Sequence, residues 1–115
     1  MEVKRNGGNG RRSICVRTEH TLYTSGITST QLNADVKTQA KDIFKQMEKI
    51  LDRYHSDKSS IIMATIYLAD MADYGAFNAV WDEWIVDGFE PCRSVVEAKL
   101  ATDEYKVKIS LVAAL

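Results

Sequence analysis

The run IIMATIYL, Ile61–Leu68, most constrains what this chain can fold into. It is almost continuously apolar, yet far short of the ~20 residues of a membrane span. On both sides lie stretches with the period of a helix. A short apolar run in that setting reads as a central strand covered on both faces. Upstream, Val36, Ala40, Ile43, Phe44, Met47, Ile50, Leu51 and Tyr54 recur at spacings of three and four. This pattern predicts an amphipathic helix from Asn33 to about His55, with Asn33 as N-cap and Asp35 at the positive end of the dipole. Downstream, Tyr74, Phe77, Val80, Trp81, Trp84 and Ile85 mark a second helix, starting at Asp70 or Asp73 and stopping at Gly88.

Strands are expected at both ends of this core. SICVRTEHTLYTSG reads as a hairpin with strands at Ser13–Arg17 and Thr21–Thr24, the second broken by Gly26. Pro91 precedes a strand from Cys92 to Ala98. The last strand alternates, with Tyr105, Val107, Ile109, Leu111 and Ala113 on one face and Lys106, Lys108, Ser110 and Val112 on the other. The expected order is ββαβαββ, an α+β fold with both helices on one face of a sheet. Residues 1–12, rich in Gly, Asn and Arg, are expected to be a flexible lead-in, and residues 13–115 a single domain. The apolar character of Ile61–Leu68 on both sides predicts that the uncovered sheet face packs against other copies of the chain.

Charge and cysteine content exclude several classes. With 115 residues and a formal net charge of -1, no global field draws the chain to nucleic acid or an anionic membrane. The lead-in is the exception: residues 1–17 carry five cations against Glu2 alone. Cys15 and Cys92 are isolated, and His20 and His55 have no ligand-like neighbours, so neither a metal nor a disulfide framework is expected. No cofactor motif occurs. Unpaired cysteines and the lack of an apolar stretch in MEVKRNGGNGRRS predict a cytoplasmic protein with no membrane association.

Few motifs carry chemistry. GGNG at residues 7–10 precedes a hairpin rather than a helix, which argues against a phosphate cradle. Trp81 and Trp84 stand at helical spacing and read as core or interface. Cys92 is either a thiolate activated by its cationic neighbour or an inert strand thiol. Arg93, near the start of a strand, is either a solvated edge charge or a bidentate carboxylate clamp, a role that needs the planar fork lysine lacks. The residues alone leave that choice open.

From about Ser13 the chain resembles the RidA/YjgF family of reactive-intermediate deaminases, as a divergent member. The resemblance is carried by LYTSGITS at 22–29, KTQAKDIFKQMEKIL at 37–51, ATIYLADMADYGAFNAVW at 64–81, PCRS at 91–94 and YKVKISLVAA at 105–114, in that order. It implies a chorismate-mutase-like fold assembled as a homotrimer, with sheets forming a central barrel and clefts between subunits. It also implies hydrolysis of small carboxylate-bearing enamines and imines, such as 2-aminoacrylate, to 2-keto acids and ammonia. By the same resemblance Arg93 pairs with the substrate carboxylate, Ser25 and Gly26 contact ligand, Cys92 adjoins it, and Asn78 organises the cleft.

One position departs from the family pattern. Where many active members carry a glutamate that activates water, this chain has Lys108, and no acid follows Glu104. An ammonium has no lone pair with which to take a proton from water. Lys108 is thus open to three readings: a plain surface lysine, a second cation in the cleft suited to a more acidic ligand, or a Schiff-base nucleophile. The departure sets a non-catalytic, carboxylate-binding regulatory trimer beside the deaminase. RNA binding or cleavage is a further alternative, supported only by the basic lead-in.

Overall fold

The computed structural model describes residues 1–115. Its elements are β1 (Lys4–Asn6), β2 (Cys15–Arg17), β3 (Thr21–Thr24), β4 (Ile27–Thr28), α1 (Val36–Arg53), β5 (Ile61–Leu68), α2 (Tyr74–Trp84), β6 (Cys92–Glu97) and β7 (Val107–Ala114). The strands form one seven-stranded sheet in the order β1-β2-β3-β7-β5-β6, with β4 continuing the line of β3 against β7. Only β5 and β6 pair in parallel, because α2 carries the chain back over the sheet between them. The α+β class and the two helices on one face are as the periodicities predict.

The core lies between that sheet face and the helices. Ala40, Ile43, Met47 and Leu51 of α1 and Phe77 and Val80 of α2 pack with Ala64, Ile66 and Leu68 of β5 and Val107, Ile109, Leu111 and Ala113 of β7. The alternation expected along the last strand holds from Val107 to Ala113. Trp81 is buried, and Phe44 stacks on Trp84 with ring centroids 4.1 Å apart, so the paired tryptophans join the two helices.

Several expectations are corrected. Two short strands, β1 and β4, add to the expected order. β1 falls within residues 1–12, where a lead-in without packed elements was expected; it pairs antiparallel with β2, Arg5 opposite Val16. The α1 N-cap is Asp35, whose carboxylate accepts from Thr38 N–H at 2.8 Å. Asn33 instead takes a left-handed backbone with φ of 63° in the preceding turn. α2 ends at Trp84, and Gly88, with φ of 86°, turns the chain four residues later. α1 closes without glycine: His55 adopts φ of 58° while Ser56 N–H reaches back to Leu51 O.

β5 is covered on one side only within a single chain. Ile61, Ala64, Ile66 and Leu68 are buried, whereas Ile62 and Met63 are 49% and 44% exposed. A bulge between Ile61 and Met63 disturbs the pairing with β7, and the Ile62 and Met63 side chains both face outward there. A row of side chains therefore crosses the open face in register: Tyr23 opposite Val112, Val112 opposite Met63, Met63 opposite Cys92.

Candidate functional site

Register decides where each candidate residue points. On β6, Arg93 is paired with Ala64, whose side chain is fully buried beneath the helices. The Arg93 side chain therefore lies on the helix face. There α2 meets it: Asn78 and Trp81, three residues apart, share one side of the helix. Arg93 Nη2 donates to Asn78 Oδ1 at 2.8 Å, and the guanidinium carbon sits 5.0 Å from the centre of the Trp81 ring. Asn78, the cleft organiser that the family resemblance implies, holds this arginine directly. Trp81 as its platform was not foreseen, although the spacing Asn78-x-x-Trp81 ahead of an arginine-bearing strand was a usable signal.

Arg93 has no carboxylate partner, since the ion pairs of the molecule join Lys4 to Glu2, His20 to Glu19 and Lys58 to Glu48. Its Nη1 is buried and no protein group accepts from it. Leaving a buried donor unpaired costs ~1–3 kcal/mol, and more when the group is charged. One edge of the guanidinium is thus fixed, one flat face is covered by indole, and a donor remains uncommitted. Glu97 shares the strand face but bonds to Met71 N–H at 3.3 Å, two turns of the pleat away from Arg93.

A second group forms at the break between β3 and β4. Ser25 N–H donates to Ile14 O at 2.8 Å and its carbonyl accepts from Thr24 Oγ1 at 2.9 Å, which fixes the backbone there. Gly26 lies under a side chain from across the sheet. A Cβ at Gly26 would fall inside contact distance of Lys108 Cε and 3.1 Å from Lys108 Cδ, so the lysine stem crosses the space a side chain would fill. Lys108 is paired with Tyr67 and Thr28 and alternates with buried Val107 and Ile109, which places it on the open face.

Beside the break, Asp42 ties the following turn to α1. Its carboxylate accepts from Thr30 N–H at 2.8 Å, Ser29 Oγ at 3.0 Å and Gln46 Nε2 at 3.1 Å. Burial alone would push this carboxyl up, but those bonds outweigh it and hold Asp42 below the ordinary carboxylate range.

These two groups do not meet within one chain. Lys108 and Arg93 are two strands apart and three residues offset, about 14 Å between backbones, and they project from opposite faces. Ser25 and Gly26 are one strand further still from β6 by position, since β4 lies on the far side of β7. Cys92 adjoins Arg93 in sequence but faces the open side, its exposed thiol 3.2 Å from Ile62 O. A single chain therefore brings together Arg93, Asn78 and Trp81 in one place and Ser25, Gly26 and Lys108 in another.

Comparison with known proteins places this arrangement. The family model described as Endoribonuclease L-PSP matches residues 9–115. The RutC family protein YoaB of Escherichia coli (strain K12) is 40% identical over 115 residues, the whole of both chains. A crystal structure of NMB1025, a member of the YjgF protein family from Neisseria meningitidis, superposes with a TM-score of 0.92 at 35% identity, spanning 99% of this chain and 95% of that one. Reactive Intermediate Deaminase A, chloroplastic, of Arabidopsis thaliana is 26% identical over 112 residues, covering 92% of this chain and 59% of its own length. The chain belongs to the YjgF/RutC family, and its fold is the chorismate-mutase-like fold of that family.

Proposed function

We propose that this member of the YjgF/RutC family hydrolyses small imines or enamines bearing a carboxylate to a 2-keto acid and ammonia, in a cleft completed by a second copy of the chain. The observation that carries the reading is Arg93: a guanidinium held by Asn78 and Trp81, with a buried Nη1 donor and no carboxylate of its own. A planar fork so prepared suits a ligand carboxylate. The kinship with a plant protein named a reactive intermediate deaminase supports the same chemistry.

Imine hydrolysis asks little of a protein. Water adds to the C=N carbon, the nitrogen takes up protons, and the C–N bond then breaks to release ammonia and leave the ketone. Anchoring the carboxylate orients that carbon, and orientation alone supplies much of the acceleration. Ser25 and Gly26 are suited to border the water and the reacting carbon from the other subunit. Assembly as a trimer supplies that subunit. The row of exposed Tyr23 and Met63 with the less exposed Val112 between them is the surface suited to the contact.

Lys108 favours a second reading. With a cation where the family commonly has an acid, the cleft binds a carboxylate ligand without turning it over, as a regulatory trimer. One experiment separates the two. 2-Aminoacrylate generated in situ by a serine dehydratase is supplied to wild type and to Arg93→Ala, and pyruvate release is followed. The deaminase reading predicts acceleration that vanishes in the variant. Equal background rates from both, with pyruvate or another small carboxylate still bound by wild type alone, would establish the binder instead.

A further inference from the structure

We propose that the groove beside the β3–β4 break is a subsite for a phosphate-type dianion, so that the ligand of this cleft is a small phosphorylated molecule. The inference rests on the reading that Ser25 and Gly26 border the ligand cleft. The groove has a volume of about 340 Å³, and its polar lining comprises Arg12, Ser25, Thr28, Gln46, Lys49 and Arg53, with no acid among them. That volume is in the range of small-molecule sites.

The sign of the charge sets this groove apart. Other concavities of the molecule mix charges: Lys4 and Arg17 with Glu2 and Glu19 in one, Lys99 and Lys106 with Glu97 and Asp103 in another. Here three cations converge, and none has a carboxylate within ion-pair distance. Lys49 and Arg53 stand four apart on α1, where like charges repel. The negative end of the α1 dipole favours Arg53 in the last turn, but it does not account for Lys49 or for Arg12. Asp42, which holds Gln46 of this lining, is committed to Ser29 and Thr30 as well.

The donors are also arranged. Arg12 is steadied by its Nη1, which donates to Gly7 O at 2.9 Å, and by Asn9 Oδ1, which accepts from both Arg11 and Arg12 N–H. The rest of the guanidinium is left to a ligand. The Ser25 carbonyl and N–H are both engaged, whereas the Gly26 N–H donates to no backbone acceptor. Two forked guanidiniums, an ammonium and a free backbone N–H match a tetrahedral oxyanion of charge near −2 better than a single carboxylate.

Titration calorimetry at fixed ionic strength, with glycerol 3-phosphate as the probe, tests the inference on wild type, on the double variant Lys49→Ala/Arg53→Ala and on Lys99→Ala, an exposed cation outside the groove. Both α1 residues are exposed, and circular dichroism confirms that the double variant is folded. The expected result is binding that weakens roughly tenfold or more in the double variant and is unchanged in Lys99→Ala. Binding should also strengthen as pH rises through ~6, where a phosphate monoester gains its second charge. No binding at millimolar probe, equal binding by the double variant, or an equal loss of binding in Lys99→Ala overturns the subsite. If the probe fails while 2-aminoacrylate turnover remains Arg93-dependent, the subsite falls and the imine reading stands. Probe binding as expected, with no Arg93-dependent turnover, keeps the subsite and removes the hydrolysis.

Discussion

The two faces of the central strands differ more than their sequence suggests. Toward the helices, Ala64, Ile66, Leu68, Ile109 and Leu111 are almost wholly sealed. Away from the helices, Ile62 and Met63 of the same β5 stay half exposed beside Tyr23 and Val96. One face is finished by the chain itself, and the other has apolar surface with nothing of its own to cover it. The candidate ligand residues divide along the same line. Arg93 is braced on the finished face by Asn78 and Trp81, while Lys108 extends on the unfinished one across Gly26. A residue's setting thus depends on which neighbour completes it, a helix in one case and, in the proposed assembly, another copy of the chain in the other.

The sharpest way to break this comparison is to place the same charge on both faces of β5. Ile66→Asp buries an unpaired carboxylate in the core and should abolish folding, at a cost of several kcal/mol. Met63→Asp, three residues away on the open face, should leave a folded chain with native circular dichroism but disperse the assembly. Size-exclusion chromatography with light scattering reads the second outcome as the 13.0 kDa mass of one chain, against three times that expected of wild type as the proposed trimer. Folding lost in both variants would erase the distinction between the faces.

The brace on Arg93 comes next. Asn78→Ala removes the bond to the guanidinium, a hydrogen bond to a charged group worth ~1.5–3 kcal/mol. The expected outcome is weaker binding of a small carboxylate, roughly tenfold or more, together with a fall in melting temperature of several degrees. A fall in melting temperature with affinity intact would make Asn78 structural only.

The smallest expected effect concerns acid. Because the folded value of Asp42 lies below the ordinary carboxylate value of 3.8, its contribution is complete above that value and is lost as pH falls through the lower folded one. Asp42→Asn should therefore lower stability near neutrality, by ~1–3 kcal/mol, and flatten the acid limb of the stability profile measured by urea titration. An unchanged acid limb would show that Asp42 is not the group responsible.

Much of this was legible in the sequence because period and burial go together. The α1 stripe from Val36 to Leu51 and the alternation of Val107 to Ala113 could be read directly. The caps were not: Asn33 and Asp35 are both good N-cap residues, and the choice turns on a left-handed turn at Asn33 that composition does not reveal. β1 was hidden because Lys-Arg-Asn carries no apolar signal; its pairing with β2 comes from tertiary context. At the site, Arg93 and Asn78 are far apart in sequence and meet through α2. The separation of Lys108 from Arg93 follows from strand order and register, which no local pattern encodes.

The central claim is that Arg93 of one copy and the Gly26 break of another share a cleft, and mixed assemblies test it most directly. Arg93→Ala and Gly26→Val are each prepared alone, then refolded together, and pyruvate release from 2-aminoacrylate is measured. Each variant alone should be inactive, and the mixture should regain part of the wild-type rate, because some clefts then pair an intact Arg93 with an intact Gly26. A mixture no more active than its two components would contradict the account.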